Sequence, residues 1–263
     1  MSSIPSTPPG DPTPLHELNP IGRFSDRVCD YVRFRPSYPA PAVNRVLAGL
    51  GDPLTITAAD IGAGTGISAV LLAERGVTVH AVEPNEAMRR AIPASARVIP
   101  VDGAAEATTL PEHSVSLVLC AQAFHWFDVP KALAEFARIL RRPGRLALVW
   151  NKRDPGDAFT RVYTDAIRAV ATEKHVEMMP FDPAVVENSS VFGHVAAFEY
   201  PNAQRLDRAG LIGRAVSASY VPKSGPGYDT LVKLLSAAHR LHANPSGMVE
   251  LRYITQVFLS API

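Results

Sequence analysis

A glycine-rich turn at residues 60–66 constrains the fold of this chain more than any other segment. Its sequence is Asp-Ile-Gly-Ala-Gly-Thr-Gly, and the apolar residues 54–59 before it predict a strand. Residues 68–74 after it predict a helix, and the apolar run 77–82 predicts a second strand that ends at the carboxylate of Glu83. Strand, glycine turn, helix and strand in this order form the layout of half of a Rossmann-type nucleotide site.

The spacing of the glycines distinguishes the ligands that such a turn could bind. Glycine lets the backbone approach a ligand where a Cβ atom would clash. A dinucleotide turn of the form G-x-G-x-x-G would have its third glycine at position 67, which is Ile67 here, whereas this chain has Gly62, Gly64 and Gly66. An aspartate precedes these glycines, and the Glu83 carboxylate suits the two hydroxyls of a ribose. The pattern therefore favours S-adenosylmethionine over a pyrophosphate.

Charge and composition exclude several classes of partner. The 26 basic and 25 acidic side chains give a formal net charge of +1, which provides no field for a nucleic-acid backbone. No apolar run approaches the roughly 20 residues of a membrane span. No basic side chain precedes Arg23, so we expect no secretory leader, and the distant Cys29 and Cys120 indicate a reducing compartment without a disulfide framework. These features predict a cytoplasmic protein without nucleic-acid or membrane partners and leave its oligomeric state open.

The remaining chain continues the alternation of strands and helices. Residues 1–14 are rich in Pro, Ser, Thr and Gly, and they predict a mobile tail. The alternation itself predicts a parallel sheet with helices on both faces. Further strands are predicted at residues 97–101, 116–120, 145–150, 195–200 and 249–259, and further helices at residues 42–50, 130–140, 159–171 and 228–241.

Four further motifs give the chain a resemblance to a known family. They are Arg35-Pro36-Ser37-Tyr38-Pro39, Glu83-Pro84-Asn85-Glu86-Ala87-Met88, Gly103-Ala104-Ala105-Glu106 and Ala121-Gln122-Ala123-Phe124-His125-Trp126-Phe127. Together with the glycine turn, they resemble the class I S-adenosylmethionine-dependent methyltransferases, in the small-molecule branch that includes the trans-aconitate-type enzymes. The resemblance covers residues 24–154 well and the later chain more loosely.

The resemblance implies an α/β, Rossmann-like class I methyltransferase fold. Its sheet would have seven strands and be mostly parallel, with the last strand antiparallel and helices on both faces. Residues 15–154 would form the core that binds S-adenosylmethionine, with an N-terminal cap. Residues 155–263 would be the C-terminal part of the same domain and contribute a substrate lid and the last strands.

The resemblance also assigns roles to particular residues. Glu83 would hold the ribose, Met88 would lie near the adenine, and Tyr31 and Arg35 would contact the cofactor, whose methionyl carboxylate needs a cationic or hydroxyl partner. The expected cofactor-binding set is Tyr31, Arg35, Asp60, Gly62, Gly64, Gly66, Glu83, Pro84, Met88, Gly103, Ala104, Ala105, Glu106 and Gln122. The expected acceptor-binding set is Trp126, Asn151 and Arg153.

The candidate catalytic residue is His125. Its motif places it at the carboxyl end of the fourth strand, where open α/β sheets bind ligands. An imidazole there could take a proton from the acceptor, anchor the acceptor by a hydrogen bond, or orient the loop, and the sequence leaves these three roles open. Methyl transfer needs no metal, and the pair His239 and His242 has no evident third ligand nearby, so no metal site is expected.

We therefore expect an enzyme that moves a methyl group from S-adenosylmethionine to a small organic acceptor and releases S-adenosylhomocysteine. Oxygen or nitrogen is favoured over carbon as the methylated atom. Two alternatives stay open. One is a non-catalytic partner or regulator that binds S-adenosylmethionine, and the other is a nicotinamide-dependent oxidoreductase, which Ile67 opposes.

Overall fold

The computed structural model of the protein describes residues 28–172 and 181–263. The tail predicted at residues 1–14 lies outside the described residues. None of the described helices is long and apolar enough to cross a bilayer.

A seven-stranded sheet forms the centre of the molecule, in the order β3-β2-β1-β4-β5-β7-β6. The first five strands are parallel to one another, whereas β7 is antiparallel to both of its neighbours. The predicted fold class is thereby confirmed. The strands are β1 (Thr57–Ile61), β2 (Thr78–Val82), β3 (Val98–Val101), β4 (Val115–Ala121), β5 (Leu140–Arg153), β6 (Ala196–Leu206) and β7 (Val249–Ser260).

Helices flank the sheet, and several begin at a side chain that caps the first turn. Asn85, Asp128, Asp157 and Asp207 each accept a hydrogen bond from a backbone N–H of the helix that follows, which satisfies a donor that the helix leaves unpaired. The helices are α1 (Val28–Phe34), α2 (Ala40–Leu47), α3 (Ile67–Ala73), α4 (Glu86–Arg90), α5 (Val129–Ile139), α6 (Ala158–Val170), α7 (Ala184–Glu187), α8 (Arg208–Val216) and α9 (Gly225–His242).

Three apolar clusters hold these elements together. One packs α5 against one face of the sheet, and the second packs α2 and α3 against the other face. The third joins α6, α8 and α9 to the start of β7, and it includes the buried Tyr163 and Tyr253. Because β7 starts beside the carboxyl end of β5, the third cluster fixes the C-terminal helices at the edge of the sheet where parallel strands bind ligands.

Several predicted boundaries were wrong, and each error has a local cause. β1 begins at Thr57 rather than at residue 54, because residues 53–55 form a 3₁₀ turn capped by Asp52. β5 extends the predicted strand at both ends because β4 and β7 pair with it. β6 continues through Pro201, which an edge strand tolerates since its outer side needs no N–H donor. Helices α1, α4, α7 and α8 were not predicted.

Candidate ligand-binding site

The glycine turn follows β1 and leads into α3. Gly62, Gly64 and Gly66 have positive φ angles of 68°, 57° and 83°, which favour glycine. A Cβ on Gly62 would lie 2.6 Å from the Cβ of Ala123, and one on Gly66 would lie 3.0 Å from Ile92 Cγ2. A Cβ on Gly64 would meet nothing nearer than the Tyr31 ring, at 3.7 Å. Packing therefore requires glycine at positions 62 and 66, whereas Gly64 leaves room beside the backbone.

Glu83, directly after β2, is hydrogen-bonded to this turn. Its Oε2 accepts a hydrogen bond from the Gly64 N–H at 2.8 Å, and its Oε1 accepts one from the Asn85 N–H at 2.9 Å. Burial raises the pKa of Glu83, while these two hydrogen bonds and the nearby Arg89 act in the opposite direction. A carboxylate has about four acceptor positions, so Glu83 retains capacity for further donors such as hydroxyls.

Asp60, the last polar residue of β1, is fully buried. Its Oδ2 accepts a hydrogen bond from Ser68 Oγ at 2.6 Å. Its Oδ1 and the Oγ1 of Thr65 are buried and have no partner among the described residues. Burial raises the pKa of Asp60 to about 7, and the charge of Glu83 adds to the shift. Buried polar atoms are rarely left unpaired, so these two atoms mark a place where a ligand could bind.

A large cavity opens at the carboxyl edge of the sheet. Its volume is about 690 Å³. Tyr31 lines this cavity, and its ring also lies beside Gly64. The cavity is therefore adjacent to the glycine turn. Seven of the predicted site residues line this cavity, namely Tyr31, Arg35, Gln122, His125, Trp126, Asn151 and Arg153.

Two of the cavity residues, Gln122 and His125, lie in the turn that follows β4. Gln122 directly follows β4 with a φ of 59°, an uncommon conformation for a residue with a side chain. His125 lies two residues further, in the 3₁₀ turn Phe124–Trp126. Burial lowers the pKa of His125 to about 4, and the positive charge of Arg35 adds to the shift. The imidazole is therefore neutral at physiological pH, so that one of its nitrogens donates a hydrogen bond and the other accepts one.

Asn151 is bound into a network between strands. Its Oδ1 accepts hydrogen bonds from Thr255 Oγ1 at 2.6 Å and from Asn202 at 3.1 Å. Its Nδ2 donates to the carbonyl of Ser37 at 3.2 Å. These contacts tie β5, β6 and β7 to the segment that follows Arg35.

The predicted adenine-binding residues lie beyond β2 and β3. Met88 is buried in α4, and the carbonyl of Pro84 accepts a hydrogen bond from Arg89. Residues 103–106 form a turn after β3, in which Glu106 Oε1 accepts a hydrogen bond from the Asp128 N–H at 2.8 Å. These residues do not line the large cavity, so the structure divides the predicted site into two neighbouring parts.

Sequence reasoning missed Arg214 and Tyr253, which line the far end of the cavity. Arg214, in α8, is 9% exposed, and its Nε donates a hydrogen bond to the Tyr253 hydroxyl at 3.1 Å. Arg153, which was predicted, pairs with Tyr253 across β5 and β7, and its guanidinium lies 5.6 Å from the centre of the Tyr163 ring. One signal could have identified Arg214, because its spacing from Leu211 places it on the apolar side of the helix.

No cluster of three or more His, Cys, Asp or Glu side chains within residues 28–172 and 181–263 is arranged to hold a metal ion. His239, one of the two histidines considered from the sequence, has its Nε2 3.0 Å from the carbonyl oxygen of Gly247. The strand order, the glycine turn bonded to Glu83 and the cavity at the carboxyl edge define a Rossmann-like fold of class I methyltransferase type.

Comparison with known proteins agrees with this class. Residues 59–148 match the family described as a methyltransferase domain. An uncharacterised methyltransferase of Mycobacterium tuberculosis is 42% identical over 135 residues, which are 50% of this chain and 53% of the relative. A protein of Saccharomyces cerevisiae, named a probable S-adenosylmethionine-dependent methyltransferase, is 30% identical over 129 residues, 44% of this chain and 43% of that protein.

The chain spans about half the length of the curated relatives that it matches. Among solved structures, a candidate type II methyltransferase from Anaeromyxobacter dehalogenans is 28% identical and has a TM-score of 0.60. That alignment covers 87% of this chain and 97% of the other chain, so the likeness extends well beyond residues 59–148.

Proposed function

We propose that the protein binds S-adenosylmethionine and transfers its methyl group to a small organic acceptor, at oxygen or nitrogen rather than carbon. The observation that carries this proposal is the glycine turn, whose middle residue, Gly64, is bonded to Glu83 at 2.8 Å. A nucleoside placed beside Gly64 would have its ribose hydroxyls close to that carboxylate. The match of residues 59–148 to the methyltransferase domain family and the name of the yeast relative support the choice of cofactor.

The residues around the turn fit this cofactor. S-adenosylmethionine carries an ammonium group and ribose hydroxyls, which are hydrogen-bond donors. The unpartnered Oδ1 of Asp60 and the remaining acceptor positions of Glu83 are buried acceptors. The methionyl carboxylate needs a cation, and the buried Nε of Arg35 has no partner among the described residues.

Each part of the site then has a role in the reaction. S-adenosylmethionine supplies a methyl group already activated by its sulfonium. The protein holds the cofactor and the acceptor in line, which converts a reaction between two molecules into one within a complex. Arg35 and Tyr31 would bind the methionyl carboxylate, Met88 and residues 103–106 the adenine, and Gln122 and His125 would lie beside the methyl group.

The C-terminal part of the chain would complete the acceptor site. Helices α6 and α8 and the start of β7 supply cavity residues that include Arg161, Arg214 and Tyr253. In this proposal residues 15–154 form the cofactor-binding core with its N-terminal cap. Residues 155–263 are the C-terminal part of the same domain and include the substrate lid.

Calorimetry with S-adenosylhomocysteine and NAD tests the proposal. We expect the protein to bind S-adenosylhomocysteine and not NAD. Gly64→Ala should weaken binding by about tenfold or more, equivalent to about 1.4 kcal/mol, because a Cβ would enter the space kept for the cofactor. Glu83→Gln should also weaken binding, by roughly 1.5–3 kcal/mol if a hydrogen bond to a charged group is lost.

Gly247→Ala is the matched control for Gly64→Ala. Gly247 also has a positive φ, 73°, and open space around it, so the substitution introduces similar backbone strain away from the site. It should leave the affinity unchanged. Tight binding of NAD without binding of S-adenosylhomocysteine, or equal affinity of the Gly64→Ala protein, would refute the proposed site.

A further inference from the structure

Arg214 is a buried cation whose partners are all neutral. Its Nε bonds to the Tyr253 hydroxyl at 3.1 Å, and its Nη1 bonds to Ser217 Oγ at 3.4 Å. Among the described residues no carboxylate pairs with it, and its Nη2 makes no hydrogen bond. A buried charge is costly unless a charge of opposite sign offsets it. Because Arg214 lines the cavity, an anionic ligand could supply that charge.

Two more arginines, Arg153 and Arg35, lie near Arg214 and Tyr253. Arg153 and Tyr253 are paired across β5 and β7, so their side chains emerge on one face of the sheet. Arg35 Nη2 donates a hydrogen bond to the carbonyl of Ser217 at 3.1 Å. The positive charge of Arg214 helps to lower the pKa of Arg35, which shows that the two cations lie close together. Three guanidinium groups therefore converge at this end of the cavity.

The charge of the cavity differs from that of the whole chain. The chain has a formal net charge of +1, with almost equal numbers of basic and acidic side chains. Among the described residues that line the cavity, the acids are Asp154 and Asp165, and the latter pairs with Arg168 at 3.8 Å. The cations that line it are Arg35, Lys152, Arg153, Arg161, Arg168 and Arg214. The excess of positive charge is thus concentrated where an acceptor would bind.

An aromatic wall complements these cations. The rings of Trp150 and Phe181 are stacked with their centres 4.8 Å apart, and Phe258 packs edge-on against Phe181 at the same distance. All three line the cavity. Trp150 and Arg153 are three residues apart on β5, and successive side chains of a strand alternate between its faces. Trp150 and Arg153 therefore project from opposite faces of the sheet. Such a cavity suits a ligand with an apolar body and a charged end.

We infer that the acceptor carries an oxyanion, either a carboxylate or a phosphate, that binds to Arg214 and Arg153 while its apolar body lies against Trp150, Phe181 and Phe258. A guanidinium fork matches both oxyanions, since each offers two oxygens in one plane. This inference rests on the proposed function, in which Arg35 is assigned to the methionyl carboxylate of the cofactor.

Binding of small probes tests this inference on protein saturated with S-adenosylhomocysteine. The probes are cyclohexanecarboxylate, cyclohexyl phosphate and the neutral cyclohexanecarboxamide. Both tryptophans of the chain, Trp126 and Trp150, line the cavity, so their fluorescence reports its occupation. We expect the two anions to bind at least about tenfold more tightly than the amide, equivalent to about 1.4 kcal/mol. The anion that binds more tightly indicates whether the charged end of the natural acceptor is a carboxylate or a phosphate.

Substitutions at Arg214 show whether this arginine is responsible. Arg214→Gln should weaken binding of the anions roughly 10- to 100-fold, as expected for a lost charged hydrogen bond, and leave the amide unaffected. Arg208→Gln, an exposed position in the same helix, should change neither. Affinity for S-adenosylhomocysteine verifies that each variant is folded, and Arg153→Gln replaces Arg214→Gln if the latter does not fold.

Four results would overturn the inference. The first is equal binding of the amide and the anions, and the second is unchanged anion binding by the folded Arg214→Gln protein. The third is displacement of S-adenosylhomocysteine by the anions, which would assign the arginines to the cofactor carboxylate. Binding of S-adenosylhomocysteine without any anion binding would reject this inference alone, whereas failure to bind S-adenosylhomocysteine would reject the proposed function.

Discussion

At the scale of single residues, the environment of His125 bears on two of its three possible roles, proton acceptor and anchor of the acceptor. Its pKa is lowered to about 4, mainly by burial and to a lesser extent by Arg35. This value lies well below physiological pH. A general base works best when its pKa lies near the working pH. Where the methylated atom is an oxygen of a carboxylate or phosphate, that oxygen is already ionised and needs no base. A neutral imidazole that anchors the acceptor therefore fits the cavity better than a proton acceptor.

The protonation state of His125 can be measured directly. In a pH titration followed by NMR of the histidine side chains, its signal, assigned from the His125→Ala protein, should not change until the pH approaches about 4. Arg35→Met removes the neighbouring cation and should raise the pKa of His125, although burial would still hold it below 6.5. Titration of His125 near 6.5 in the unaltered protein would contradict this account.

At the scale of elements, the contact between α1 and α8 brings together two arginines of the large cavity. Arg35 directly follows α1, and Arg214 belongs to α8. Gly213 allows the two helices to approach, because a Cβ there would overlap the ring of Phe34. A bond between Gln204 Nε2 and the carbonyl of Phe34, at 3.0 Å, ties the same end of α1 to β6. The position of α1 thus sets how close Arg35 lies to Arg214.

Gly213→Ala should separate these helices. We expect a loss of about 1–3 kcal/mol in the free energy of unfolding, typical of an overpacked interior, together with weaker binding of S-adenosylhomocysteine through displacement of Arg35. Urea unfolding and calorimetry measure the two effects. Phe34→Ala in the same chain removes the overlapping ring, so the double variant should lose less stability than the sum of the single variants.

Gly193→Ala serves as the control for this prediction. A Cβ on Gly193 would lie no closer than 3.9 Å to any neighbour, so the substitution should alter neither property. Additive losses in the Gly213→Ala, Phe34→Ala pair would mean that the glycine does not act through the Phe34 ring.

At the scale of the whole molecule, the predictable features were those encoded within a short stretch of sequence. The glycine turn and Glu83 are separated by one helix and one strand, so spacing alone predicts that they lie together, as the 2.8 Å bond between Gly64 and Glu83 shows. The parallel strands were located because each is a compact apolar run. Arg214 was not identified, because its role depends on Tyr253, which is 39 residues away and lies on a strand of reversed direction.

The same limit explains the errors in the C-terminal half. There, β6 is a long edge strand whose end is set by antiparallel pairing with β7, and its residues alternate only between half-buried and exposed over most of its length. Helix α8 contains two glycines, which obscure its helical pattern, although one of them is required for contact with α1. Local propensity and tertiary packing therefore disagree at the elements that would form the acceptor site.

Two buried groups give the molecule opposing dependences of stability on pH. The pKa of Asp60 is raised by burial from 3.8 to about 7, so the folded protein binds this proton more strongly than the unfolded chain does, and the contribution of Asp60 to stability falls as the pH rises through that interval. The pKa of His125 is lowered by burial from 6.5 to about 4, so its contribution rises as the pH rises. Between about pH 4 and 6.5, where the two intervals overlap, the contributions of Asp60 and His125 to stability offset each other.

Replacing either side chain should reveal the pH dependence of stability that the other one contributes. Asp60→Asn should make stability rise more steeply with pH than in the unaltered protein, between about pH 4 and 6.5, whereas His125→Asn should make it fall. Each slope can reach about 1.4 kcal/mol per pH unit, or roughly 3–5 °C in Tm for a domain of this size. Thermal melts at constant ionic strength measure the difference between each variant and the unaltered protein. Because that difference cancels the other titrating groups, parallel Tm profiles would show that neither pKa is shifted.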